Sequence, residues 1–71
     1  MRLSATQKEI VEYIESCKRS PTYGEIAEGV GIAIRAVQYQ LDRLEEAKVI
    51  KRSKASTGRV IPRTIEVLSH D

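Results

Sequence analysis

Apolar residues recur at helical spacing in three successive stretches of this chain, and at roughly alternating spacing in the last third. Gln7, Ile10, Val11, Ile14 and Cys17 share one side of a helical wheel, with Tyr13 on the flank and Lys8, Glu12, Glu15 and Arg19 opposite. Ser4 and Gln7 stand three apart, as in a capping box, where each side chain satisfies the other's backbone amide. The spacing predicts a first helix over 5–18, with Cys17 as a small buried side chain and Glu15–Arg19 as a charge pair one turn apart. Pro21 breaks the pattern, and Thr22 with Glu25 repeats the capping signature. A short second helix over 23–30 follows, burying Ile26, Ala27 and Val30 despite Gly29, an unhelpful residue there, and closing at Gly31 in a left-handed cap. Ile34, Val37, Leu41 and Leu44 come at steps of 3, 4 and 3. They predict a third helix over 34–47 with those four side chains facing inward.

After Lys48 the period changes. Val49 to Ser53, Arg59 to Ile61 and Thr64 to Leu68 have strand character around a turn at Ser56-Thr57-Gly58. Pro62 cannot donate to a ladder, so it marks an edge, a bulge or a kink. A β-hairpin over 49–68, its tip near 53–59, completes the expected layout. The fold class is mainly α with a small β-hairpin, in one domain over 1–71.

Composition narrows the chemistry. At 71 residues without Trp or Phe, the core is built from Ile, Val and Leu near the lower size limit of a folding domain. A single cysteine excludes an internal disulfide and leaves no cysteine cluster for zinc. One His and one Cys, with no Gly-rich phosphate loop, do not assemble an active site, so no enzyme, metal or cofactor is expected. The opening residues lack a signal-peptide apolar run, and no stretch reaches membrane-spanning length. A cytoplasmic protein of a bacterium, phage or archaeon is the expectation.

The net charge of +2 is small, but it is unevenly placed. Residues 1–34 carry four basic and five acidic side chains, a net of −1, and residues 35–71 carry eight and five, a net of +3. Between Ala47 and Ile65 stand Lys48, Lys51, Arg52, Lys54, Arg59 and Arg63 with no acid. Such a run attracts polyanions, although a plain solvated loop has the same look. Two helices meeting at Gly31 are a helix-turn-helix pattern, in which the second of the pair reads the DNA major groove. The outward face of the third helix carries Arg35, Gln38 and Tyr39, which suit base edges: Arg for guanine, Gln for adenine, Tyr for a thymine methyl or a phosphate. Thr22 and Tyr23 at the start of the second helix, with Arg43, Lys51, Arg52, Lys54 and Arg59, are the expected phosphate contacts. Asp42 fits least well, and must lie off the DNA or pair with a base such as Arg43.

The order of elements is that of the winged helix-turn-helix superfamily, including MarR-type and ArsR-type regulators. Ile26-Ala27, Val30-Gly31-Ile32, Val37, Leu41, Leu44-Glu45 and Val49-Ile50 are similar to it. Leu3 to Ile10, Ser20 to Ala27 and Pro62 to Leu68 resemble, in order, three segments of the LexA repressor's DNA-binding domain. Three departures stand out: helix 3 is one residue shorter between the turn glycine and its leucine pair, Ala33-Ile34 replaces a Ser or Thr, and Lys48 replaces a glycine. The resemblance covers the DNA-binding part of that family and not its Ser/Lys peptidase. It implies a DNA-binding domain only. The expected function is sequence-specific binding of double-stranded DNA, with transcriptional repression as its use. With no coiled-coil segment in the sequence, the chain is expected to be monomeric alone and to pair on DNA or through a further domain. The alternative use of such a fold is protein–protein contact, with the basic hairpin against an acidic partner.

Overall fold

The computed structural model describes residues 3–61 and 63–68. Three helices and a small antiparallel sheet follow in the order α1 Ala5–Ser16, α2 Tyr23–Val30, α3 Ile34–Glu46, β1 Ile50–Lys51 and β2 Glu66–Val67. Both predicted capping boxes form. Ser4 Oγ accepts from Gln7 N at 3.2 Å while Gln7 Oε1 accepts from Ser4 N at 3.0 Å. Thr22 and Glu25 repeat the exchange at 3.2 and 2.9 Å. Each box satisfies amides that the first turn of a helix otherwise leaves unbonded. Gly31 closes α2 at φ +82°, and its amide and that of Ile32 both bond Ala27 O.

The core is Leu3, Ile10, Val11, Ile14, Ile26, Ala27, Val37, Leu41, Leu44, Val49, Ile50 and Ile65, all buried. The three inward residues of α3 are therefore Val37, Leu41 and Leu44. Ile34, expected beside them, is 51% exposed. It is the first residue of α3 and is neither part of the core nor packed against it. Cys17 is only half-buried, because α1 ends at Ser16 and Cys17 is already extended at φ −82°, ψ 141°. The segment after it is tied elsewhere: Ser20 Oγ accepts from Ile65 N at 2.8 Å, joining the α1–α2 loop to the returning wing. Val30 is likewise only partly buried against the core.

Two backbone positions follow from how closely the elements approach. A Cβ on Gly29 would fall within the Tyr13 ring, so the residue that weakens α2 as a helix lets α1 and α2 come together. Lys48 sits at φ +65°, a left-handed position with Lys48 N bonded to Glu45 O and Val49 N to Leu44 O. This is a Schellman ending, and a non-glycine residue costs about 1 kcal/mol there.

The hairpin forms with less regular pairing than its sequence suggests. At its base Ile50 pairs with Val67 and Lys51 with Glu66. Toward the tip, Lys54 and Val60 make a single bridge. Ala55 N bonds Arg59 O at 2.8 Å, and Gly58 turns at φ +90°. Between these two paired parts Thr64 Oγ1 accepts from Ser53 N and donates to Ile61 O, which replaces ladder bonds. The break expected at Pro62 lies outside the described residues.

Candidate nucleic-acid interface

On α3 the exposed polar residues are Arg35, Gln38, Tyr39, Asp42, Arg43 and Glu46, opposite the buried Val37, Leu41 and Leu44. Arg35, Gln38 and Tyr39 all belong to its N-terminal two turns, which hold no acid. Arg43 lies one turn past Tyr39, donates to its hydroxyl at 3.3 Å and sits 5.7 Å from its ring centre. That cation–π contact orders both side chains along the same face.

A cleft of about 670 Å³ separates α3 from the wing. Gln38 and Asp42 line one side, Ala55, Arg59, Val60 and Ile61 the other, with Tyr23 and Arg52 also contributing. The structure thus brings Gln38 and Arg59, 21 positions apart in sequence, to one opening. Lys51 is exposed at the base of the wing, cross-strand from Glu66. Lys54 faces a different hollow, with Asp42, Glu45, Glu46 and Arg52. Its charge there is partly countered by carboxylates, so Arg59 is the better placed of the two tip cations.

Arg52 is not available to a phosphate, which corrects its place among the expected contacts. It is 8% exposed, and its guanidinium reaches two helices. Nη1 donates to the Tyr23 hydroxyl at 2.6 Å, Nη2 to Asp42 Oδ1 at 2.7 Å and to Glu45 Oε1 at 2.5 Å, and Nε to Glu45 Oε1 at 3.1 Å. Burial by itself disfavours the charged form, but the bonds to Asp42, Glu45 and Tyr23 outweigh it and hold the guanidinium above its ordinary value. The same bonds hold the Glu45 carboxyl below the usual carboxylate range. Asp42 therefore pairs with Arg52 and not with Arg43, a partner ten positions on that helical spacing cannot indicate.

The α2 end is also already engaged. The Thr22 hydroxyl oxygen accepts from Glu25 N, and the Glu25 carboxylate accepts from Thr22 N, which places a negative charge at this helix end. Arg63 clamps that carboxylate through two parallel bonds of 3.0 Å and also donates to Ser20 O at 3.3 Å. Thr22 and Tyr23 thus flank a helix end carrying its own anion. Nothing in the local pattern links Glu25 to Arg63, because 38 residues separate them.

The Arg63 hydrogen bonds, and then the Thr22 amide, keep the Glu25 carboxyl below its ordinary pKa. A depressed folded value means the clamp contributes fully above the ordinary carboxylate range and is lost as pH falls through the folded value. Glu25→Gln, which keeps an acceptor for the cap but not the charge, is expected to melt lower than the parent at neutral pH. The gap should close as the solution is acidified. A thermal melt series checks this, and a gap unchanged down to about pH 3 would remove the ion pair from the account.

Among the described residues no helix is long and apolar enough to cross a membrane. In comparison with known proteins, the family described as FaeA-like protein matches residues 6–61. No curated protein matches the chain.

Proposed function

The chain belongs to the FaeA-like protein family, a helix-turn-helix DNA-binding type, and from that membership we propose that it binds specific sequences in double-stranded DNA and regulates transcription, as a repressor. The observation that carries this reading is the open face of α3: Arg35, Gln38 and Tyr39 are exposed on the side of the helix away from the core, in two turns that hold no acid. An α-helix fits the major groove, and side chains from its N-terminal part reach base edges. Arg43, Lys51 and Arg59 stand beside that face or on the wing, where they supply phosphate contacts. The likeness of the capping segments to LexA belongs to the same proposal, as does a chain that is monomeric alone and pairs on its operator. We place it in the cytoplasm on the same reasoning.

Retardation of random duplex at low salt is the first test. No shift at micromolar protein would move the reading to protein contact, with the basic hairpin against an acidic partner. Given binding, Arg35→Ala is expected to weaken the best site by about 1–3 kcal/mol and to relax one base position. Arg59→Ala is expected to weaken every sequence alike and to reduce the salt slope by about one. Titrations of each variant on the best site and on random duplex separate the two. Equal loss on both for Arg35→Ala removes it from the base-reading set.

A further inference from the structure

A carboxylate on a DNA-facing helix ordinarily repels the backbone, and Asp42 is such a carboxylate. Its side chain is 68% exposed. At about 100° per residue it lies about 20° from Arg35, 40° from Gln38 and 60° from Tyr39 around α3. It is on their face, one turn further along, and it lines the same cleft as Gln38 and Arg59. A surface aspartate there would swing freely, but this one is held. Oδ1 accepts from Nη2 of Arg52, whose side chain is only 4% exposed and is fixed in turn by Glu45 and Tyr23. Oδ2 takes part in no hydrogen bond among the described residues. Arg52 does not need Asp42 as its sole counter-charge, since Glu45 accepts from it twice.

From this arrangement we propose that Asp42 is a specificity-determining residue that selects cytosine, its carboxylate accepting from the exocyclic N4 amine in the major groove. The proposal rests on the DNA-binding reading above. A carboxylate accepts only, so it rewards a base presenting an amine and disfavours guanine O6 and N7, thymine O4, and adenine, whose N7 lone pair stands beside its amine, which leaves cytosine. Holding one oxygen on a buried guanidinium lowers the ordering cost of the contact and directs it. The paired guanidinium also offsets part of a charge that would otherwise repel nearby phosphates. Arg52 is then the positioning residue behind Asp42, and Gln38 and Asp42 read neighbouring positions from successive turns.

The test is selection from a random duplex pool with the parent, Asp42→Asn and Glu45→Gln, each checked for folding by thermal melting. The parent is expected to enrich one sequence with a cytosine at one position. Asp42→Asn keeps an oxygen for Arg52 but adds an amide donor. It is expected to lose at least tenfold of the preference at that position and to leave the others intact. Glu45→Gln weakens the hold on Arg52 without touching the reading group, and is expected to keep the same preferred base. Should Asp42→Asn fail to fold, Asp42→Ser carries the same comparison. A cytosine preference unchanged in the Asp42 variant, with affinity rising equally on all sequences, overturns the proposal and leaves Asp42 a carboxylate that merely repels phosphate. An enriched sequence with no cytosine preference also overturns it while the DNA-binding reading stands. No enrichment by the folded parent removes that reading and the proposal with it.

Discussion

Leu41→Ala is expected to remove about 3–5 kcal/mol of stability, the range for deleting a fully buried leucine side chain. Leu41 has no exposed surface and lies midway along α3, with Val37 and Leu44 buried beside it. The cost combines the lost burial with a cavity that close-packed neighbours fill only in part. A domain of 71 residues holds about 4–10 kcal/mol in total. The variant should therefore be largely unfolded at modest urea or slightly raised temperature. Ile34→Ala is the informative companion. Ile34 belongs to the same 3-4-3 pattern but is 51% exposed, and its removal should change stability by less than about 1 kcal/mol. Urea titrations of both check the contrast. Equal losses would mean that Ile34 is covered in solution and that the core extends past the start of α3.

Arg52→Ala is the second large effect, expected at about 2–3 kcal/mol. Breaking a buried charge cluster from one side costs about 3–5 kcal/mol when the partners stay buried. Here Asp42 is 68% exposed and Glu45 27%, so both recover hydration and the loss falls to the lower limit of that range or below it. Part of it is packing, since the arginine stem goes with the charge. Arg52→Met restores apolar volume and should recover some of that part. Arg52→Lys should not recover the rest. The fork places Nη1 on Tyr23, Nη2 on Asp42 and Glu45, and Nε on Glu45, and one ammonium cannot reach all three in those directions. Equilibrium unfolding of the three variants tests this order. A stable Arg52→Ala, within about 0.5 kcal/mol of the parent, would show that the cluster contributes nothing net.

The elements of this fold were legible because they depend on near neighbours. A capping box spans three residues, and a helical face repeats every three or four, so Ser4–Gln7, Thr22–Glu25, Gly31 and the Val37–Leu41–Leu44 seam could be read directly. The same period over-reached at its ends. It carried Ile34 into the core and α1 two residues too far, because where a helix stops packing depends on what stands opposite it. The hairpin was visible as a change of period, but its thin pairing and the part taken by Thr64 were not.

The candidate site divides in the same way. Sequence by itself determined which residues of α3 face outward, because that is helical geometry: Arg35, Gln38 and Tyr39 are exposed as their spacing requires. Charge counted along the chain did not determine which cations are free. Among six basic residues between Ala47 and Ile65, Arg52 is buried against Asp42, Glu45 and Tyr23, and Arg63 is clamped on Glu25. Only the tertiary structure decided this. A one-sign run measures local composition, whereas the potential a ligand meets depends on acids brought close by folding, and a guanidinium keeps its charge while losing its availability. The structure also shows that Asp42, the outward residue of α3 that its spacing left without a partner, is held by Arg52.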